Sequence, residues 1–354
     1  MRDPRRVSWG AVLGVTVWFL CTDGHAYAEV PPAPLTVLGI HESQFTLNGE
    51  PTFLLGVSYY GGLGASREFV QQDLDDLQAF GVNWIRVWAT WSAYDHDVSA
   101  VDAQGQVREP FMQSLQWLVA ECDRRGMVVD VTLTRRAGAR EAVIGGLADA
   151  EAHRLAVEAL VGALQPHRNW YLDLANERDV RDDRYVSIEE LKSLRELVRR
   201  LDPRRVVTAS FGGHDLSNDD VRYSLVEAGH DVLAVHRPRH AKSPQQTEAR
   251  TGDLLARMAE IHRTAPVHHQ EPFRRGYADW EPTVDDFLTD LRGARAGGAA
   301  GWCLHNGAER TRDDGQPRRS FDLREHRLLD QFDDVERRVL EQMAAVLAET
   351  ASAQ

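Results

Sequence analysis

The feature that most restricts the fold of this chain is an alternation that recurs eight times: an apolar run of strand length, then an amphipathic stretch of helix length. The apolar runs are Phe53–Ser58, Asn83–Trp88, Met127–Leu133, Asn169–Ala175, Arg205–Ser210, Asp231–His236, Pro266–Gln270 and Ala299–Leu304. The helical stretches between and after them are Ser66–Phe80, Phe111–Arg125, Ala148–Leu164, Ser187–Leu201, Asp219–Ala228, Gln245–Arg263, Val284–Ala296 and Val335–Ala348. Ser66 stands at an N-cap position, Ser187-x-x-Glu190 reads as a capping box, and Gly81 and Gly126 follow the first two helices as stops. Strands alternating with helices imply parallel pairing, because each crossover returns the chain to the same end of the sheet. Eight such units in one chain predict a (β/α)8 barrel. An open doubly wound sheet is the alternative. It calls for a Gly-rich phosphate turn after an early strand, which Gly61-Gly62-Leu63-Gly64 imitates only weakly. Ahead of the first unit, Phe45-Thr46-Leu47-Asn48-Gly49-Glu50-Pro51 reads as a small hairpin on an Asn-Gly turn, placed to cap the barrel floor.

Composition supports a globular domain with a sizeable core: 43% hydrophobic and 27% charged in 354 residues. A formal charge of −13 argues against nucleic acid or an anionic membrane surface as partner, since both require a basic face. Residues 1–28 read as an export signal, with Arg2, Arg5 and Arg6 ahead of an apolar stretch and Ala26-Tyr27-Ala28 as the cleavage site. The expected organisation is therefore a signal peptide at 1–28, an N-terminal extension and hairpin at 29–52, and a catalytic barrel at 53–350. The destination is the medium or the periplasm, and no membrane association is expected once the signal is removed. Cys122 and Cys303 fall on an outer helix and a late strand, so they are expected as two buried free thiols.

In a parallel barrel the chemistry sits where strands end, at their C-terminal mouth. The run Tyr171-Leu172-Asp173-Leu174-Ala175-Asn176-Glu177 ends in a carboxylate, and Pro266-Val267-His268-His269-Gln270-Glu271 ends in another. Between them there is room for about three strand–helix units of roughly 30 residues. Glu177 and Glu271 are thus expected to face each other across one mouth. Period-two alternation puts Trp84, Arg86 and Trp88 on one face, Val232, Ala234 and His236 on another, and Val267, His269 and Glu271 on a third. A guanidinium inside a barrel needs a carboxylate partner, and Arg86 is assigned to a glutamate at the same mouth.

These residues resemble clan A glycoside hydrolases, and family 5 cellulases and mannanases most. The resemblance rests on Asn176-Glu177 after strand four, a glutamate ending strand seven, Arg86 in strand two, Trp302 in strand eight, and the opening run from Phe45 to Tyr60. It implies a retaining hydrolase of β-linked glycans in which Glu177 is the general acid/base and Glu271 the nucleophile. Asn176 would hold a sugar hydroxyl, Arg86 would orient Glu271, and His236 would line the site. Trp88, Trp302 and Tyr59 would contact substrate, with Trp91, Tyr94 and Trp280 on the same side. The partner is then an oligo- or polysaccharide, and no cofactor or metal is called for; the oligomeric state stays open.

The sequence departs from that family at three points. Strand three ends in Thr132-Leu133-Thr134-Arg135-Arg136 without the usual histidine, His236-Arg237-Pro238 lacks the His-x-Tyr tyrosine, and Pro272-Phe273-Arg274 replaces an aromatic-glycine pair. Tyr59, Tyr60 and Tyr277 are the candidates to replace the missing tyrosine. These departures keep a catalytically silent glycan-binding barrel as an alternative. A second alternative is a metal-dependent barrel using His214, His236, His240, His268, His269 and His305, although neighbours such as His268 and His269 point to opposite faces of a regular strand.

Overall fold

A computed structural model describes residues 35–93, 96–134, 146–181, 184–276, 280–306 and 321–352. The segment read as an export signal lies outside them, as do Tyr94, Arg135, Arg136 and Tyr277.

Eight parallel strands form the barrel: β1 (Leu54–Ser58), β2 (Trp84–Trp88), β3 (Val128–Thr132), β4 (Trp170–Asp173), β5 (Val207–Thr208), β6 (Leu233–His236), β7 (Val267–Glu271) and β8 (Gly301–Leu304). They pair in the order β5-β4-β3-β2-β1-β8-β7-β6. The two outermost strands meet through Asp231 N–H donating to the Val207 carbonyl at 2.9 Å and Thr208 Oγ1 donating to the Val232 carbonyl at 2.8 Å, which nearly closes the ring. The helices are α1 (Arg67–Ala79), α2 (Phe111–Arg124), α3 (Ala150–Leu164), α4 (Ile188–Leu201), α5 (Asn218–Arg222), α6 (Ser243–Glu260), α7 (Val284–Ala296) and α8 (Asp334–Ser352). The (β/α)8 expectation holds, and every barrel strand falls within or beside the run assigned to it. The fifth strand shrinks to two residues, and the short α5 passes into a π-helical turn at Tyr223–Ala228.

The caps explain the helix starts. Ser66, Asp149 and Ser187 each accept a backbone N–H of the first turn, and Ser217/Asp220 and Thr283/Asp286 form reciprocal capping boxes. The box expected at Ser187 is only half made, because the Glu190 carboxylate turns to Arg184 and lies 3.4 Å from His153.

The floor is plugged as the hairpin predicted, with one strand more. Leu38–His41, Gln44–Leu47 and Glu50–Thr52 make a three-stranded antiparallel sheet, turning on Asn48 (φ 53°) and Gly49 (φ 90°). Phe45 is fully buried, stacked 6.3 Å from Tyr171 and edge-on to His268 at 6.0 Å. It belongs to the lower interior layer with Leu54, Trp84, Val128, Val232 and Cys303. That layer needs bare backbone on two strands. A Cβ on Gly56 would lie 2.3 Å from the Trp84 ring, and one on Gly301 would lie 2.1 Å from His268. The larger cluster of apolar side chains lies outside the ring, between strands and helices. Cys122 and Cys303 are both buried free thiols, and burial pushes each thiol up from its ordinary range.

Candidate active site

Above the apolar floor the barrel interior becomes polar, and Arg86 is its hub. Alternation along β2 sends Trp84, Arg86 and Trp88 inward, as expected. The fully buried guanidinium lies 3.5 Å from Asp130, 3.0 Å from Asp173 and 2.5 Å from Glu271. Arg86 also donates to Thr132 Oγ1 and to Asn176 Oδ1, each at 3.0 Å. A lone buried cation would cost several kcal/mol in desolvation, so this ring of acceptors is what permits it. Asp130 bears part of that cost: burial raises its pKa to about 7, against the lowering pull of Arg86.

Glu271 reaches the mouth through an irregularity that alternation does not foresee. The β6–β7 register runs Leu233–Val267, Ala234–His268 and Val235–His269, then jumps to His236–Glu271. Gln270 is the extra residue of a bulge. It faces inward and donates to Asp130 Oδ2 at 2.5 Å, while His269 faces α6 and meets Thr251 Oγ1 at 2.9 Å. The bulge turns Glu271 inward as well. The expectation that Val267, His269 and Glu271 share a face is therefore corrected.

Both oxygens of Glu271 are engaged. Oε1 accepts from Arg86 Nη1 at 2.5 Å and from Tyr60 Oη at 2.8 Å. Oε2 lies 2.7 Å from Arg239 Nη2, 3.2 Å from His305 Nε2 and 3.6 Å from His236 Nδ1. Burial alone would raise this carboxyl. The attraction of His236, His305, Arg86 and Arg239 outweighs it and holds Glu271 well below the usual carboxylate range.

Glu177 sits four residues past the end of β4 with φ 48°, a left-handed conformation uncommon for a non-glycine residue. Its backbone N–H donates to Ser210 Oγ at 3.1 Å, beyond the end of β5. Its Oε1 lies 3.2 Å from His236 Nδ1 and 3.8 Å from Arg239 Nη2. One oxygen of Glu177, one of Glu271 and a nitrogen of His236 all fall within 4.8 Å of one another. Burial raises the Glu177 carboxyl. The His236 hydrogen bond and the pull of His236 and Arg239 leave it lowered, against the like charge of Glu271.

The sequence therefore brought Glu177, Glu271, Arg86, Asn176, His236 and Trp88 to one mouth. Trp88 stands in an aromatic group there, its ring centroid 4.7 Å from that of Tyr60 and 5.0 Å from that of Trp91. Two assigned residues lie elsewhere. Trp302 is fully buried on the helix side of β8, its indole N–H donating to Asp290 Oδ2 at 2.7 Å, so it offers no face to a sugar. Tyr59 is also fully buried and turned outward, donating to Asp73 Oδ2 at 3.0 Å. Trp280 packs against Phe273 at 5.0 Å, on the apolar shell outside the ring.

Alternation carried past the strand ends would have found the right pair. Ser58 and Cys303 point inward and meet at 3.7 Å, so Tyr60 and His305, two residues on, point inward too. His305 Nδ1 lies 3.0 Å from Ser58 Oγ and 3.1 Å from Tyr60 Oη. Arg274 lies behind it, with Nη1 3.0 Å from His305 Nε2. Arg239, in the loop after β6, carries no periodic signal at all, and sequence reasoning missed it.

The six histidines proposed as metal ligands do not form one cluster, although His236 and His305 both approach Glu271 Oε2. His268 packs edge-on to Trp84 at 4.5 Å on the floor side, His269 faces α6, and His214 pairs with Asp179 and Asp220. Glu177, His236 and Glu271 have donor atoms close enough to hold an ion. The guanidiniums of Arg86 and Arg239 already supply positive charge to the same carboxylate, which makes it a poor cation site.

No protein-family model matches the sequence, and no curated protein matches it. Solved structures do match the fold. A glycoside hydrolase family 5 mannosidase from Rhizomucor miehei aligns over 90% of this chain and 99% of its own, with a TM-score of 0.61 at 14% identity. A family 5 glycoside hydrolase from Bacteroides vulgatus aligns over 89% and 72%, with a TM-score of 0.64 at 14% identity. A β-mannanase from Streptomyces thermolilacinus, solved with mannohexaose, aligns over 88% and 95%, with a TM-score of 0.57 at 15% identity. What the chain shares with all three is the architecture that the family 5 resemblance implied.

Proposed function

We propose that this barrel is a retaining glycoside hydrolase acting on β-linked glycans, with Glu177 as general acid/base and Glu271 as nucleophile. One observation carries the reading: two glutamates from different strands meet at the C-terminal mouth with an oxygen of each within 4.8 Å. Retaining enzymes hold their carboxyl groups about 5–5.5 Å apart, whereas inverting enzymes leave about 6.5–9.5 Å for a water. The mannosidase and mannanase neighbours support β-mannan as the first glycan to test, and the export signal read at residues 1–28 agrees with a polysaccharide met outside the cytoplasm.

The surroundings divide the labour between the two carboxyls. Glu271 Oε1 is held by Arg86 and Tyr60, which fixes the group as a carboxylate and aims Oε2 toward Glu177. Attack by Glu271 on the anomeric carbon breaks the glycosidic bond while Glu177 gives its proton to the leaving oxygen. Glu177 then takes a proton from water, whose oxygen displaces Glu271 and restores the starting configuration. Asn176, tied to Arg86, meets the sugar hydroxyl next to the reacting carbon, and the Tyr60–Trp88–Trp91 group offers ring faces to its C–H bonds. Arg239 must yield for this to happen. Its Nη2 lies between the two carboxylates, where the reacting atoms have to come within about 3–3.5 Å of the nucleophile. Its withdrawal also removes an attraction that keeps Glu177 ionised, which a proton donor requires.

That same guanidinium favours a second reading, a barrel that binds glycans without cleaving them. A panel of β-mannan, β-glucan, xylan and aryl glycosides separates the two. Hydrolysis with retained anomeric configuration by proton NMR, lost by several orders of magnitude in Glu271→Gln, is the expected result. Glu177→Ala should spare substrates with activated leaving groups more than natural ones, because such groups need little protonation. Binding without turnover would establish the silent barrel, and inversion would refute the assignment of Glu271.

A further inference from the structure

At the end of the barrel away from the glutamates, the strand N-termini line a cavity of about 570 Å³, open to solvent. Its charge is unlike that of the chain. Arg195 and Arg199 enter from the end of α4, Arg204 from the turn before β5, and Arg263 from the turn between α6 and β7. Arg199 is neutralised by Asp231, with Nη2 2.6 Å from Oδ1. Arg195, Arg204 and Arg263 have no carboxylate within ion-pair distance among the described residues. Three guanidiniums without a carboxylate partner, Arg195 half-buried and Arg204 and Arg263 exposed, give this hollow a positive lining in a protein of net charge −13, and such a lining attracts anions.

A second observation points the same way. His230 lines the cavity, is 5% exposed, and has no hydrogen-bond partner at Nε2 among the described residues, although Nδ1 lies 3.1 Å from Ser224 Oγ. A buried polar atom without a partner is destabilising, and a ligand oxygen that reached this nitrogen would relieve the penalty. Burial and the nearby charges of Arg178 and Arg195 push this imidazole down to about 3, so it offers an uncharged ring nitrogen beside the guanidiniums. Gly229, with φ 75°, presents no side chain, and the Arg195 guanidinium carbon comes within 3.6 Å of where its Cβ would be. Val206, Leu225 and Val226 give the hollow an apolar wall.

We infer that this floor cavity is a binding site for an anion carrying two or more acidic groups, such as sulfate, phosphate or carboxylate, held by Arg195, Arg204, Arg263 and His230. Planar guanidiniums grip such oxyanions in bidentate fashion, and three of them suit a multiply charged molecule better than a single small ion. The cavity also falls within the size range of sites that take whole organic ligands, about 300–1,000 Å³. It stands apart from the glutamate pair, so the proposal does not depend on the hydrolase reading.

The test is isothermal titration of the full chain with sucrose octasulfate, inorganic pyrophosphate, inorganic phosphate and plain sucrose. Octasulfate and pyrophosphate should bind, phosphate more weakly and sucrose not at all, with affinity falling as salt rises. The Arg195→Gln/Arg263→Gln double variant should weaken the polyanions by at least about tenfold, because it removes two of the three guanidiniums that pair with them. Its melting temperature serves as the check that the fold is intact. A preference for octasulfate over pyrophosphate assigns a sugar-borne anion, and the reverse assigns a free one. No binding of either polyanion, or equal binding by parent and double variant, overturns the proposal.

Discussion

Arg239→Met offers the most direct test of the electrostatics proposed for the mouth. The substitution keeps much of the side-chain volume and removes a charge whose Nη2 lies 3.8 Å from Glu177 Oε1 and 2.7 Å from Glu271 Oε2. Opposite charges about 4 Å apart attract by roughly 1 kcal/mol in water and about 4 kcal/mol at the effective dielectric near a protein surface. At about 1.4 kcal/mol per pKa unit, losing Arg239 should raise the Glu177 carboxyl by about 1 to 3 units. The Glu177 side chain is 22% exposed, which favours the lower end of that range. Glu271 keeps Arg86, Tyr60 and His305, so it should move less. The assay is the pH profile of kcat/KM on an activated aryl glycoside. Its alkaline limb reports the proton donor of the free enzyme, within a pair that titrates together. We expect that limb to move to higher pH by about one unit, with KM lowered because the gap between the carboxylates is already open. An alkaline limb that stays in place, or moves to lower pH, refutes the claim that Arg239 keeps Glu177 ionised in the resting site.

Three further sets of substitutions test other parts of the site and fold. Tyr60→Phe removes a hydrogen bond to the nucleophile and should lower kcat/KM by roughly 10- to 100-fold, while Tyr59→Phe should spare kcat and destabilise the fold by about 1–3 kcal/mol in denaturant unfolding, because it strips a partner from buried Asp73. Trp302→Ala should cost about 3–5 kcal/mol of stability as a core cavity, whereas Trp88→Ala should raise KM; a normal melt with a raised KM in Trp302→Ala would restore that residue as a sugar platform. Burial raises Asp290 to about 6, against the pull of Thr247, Trp302 and Arg237, so the folded state holds its proton more tightly than the unfolded chain does. The Asp290 contribution is then fully present below about pH 4 and lost as pH rises toward 6, and Asp290→Asn should flatten that part of the stability–pH curve. A curve of unchanged slope between pH 4 and 6 would refute it.

The sequence by itself determined the architecture, because the eightfold alternation of strand and helix lengths leaves few ways to bury its apolar faces. It also placed Arg86, His236 and Trp88 at one mouth, since local periodicity fixes which face a strand residue presents, and Asn176 and Glu177 there because they follow the end of a strand run. Tyr59 and Trp302 went astray because parity was not followed along and past their strands: Tyr60 and His305 share the inward parity of Ser58 and Cys303, and Tyr59 and Trp302 have the outward one. The tertiary structure decided what no period encodes. The extra residue at Gln270 turns Glu271 inward, and it depends on register with the neighbouring strand. The guanidinium of Arg239 comes from an aperiodic loop and reaches both carboxylates only when β4, β6 and β7 lie side by side around the ring. Parity is a property of a few consecutive residues, whereas a bulge or a charge between two carboxylates is fixed by segments far apart in the chain.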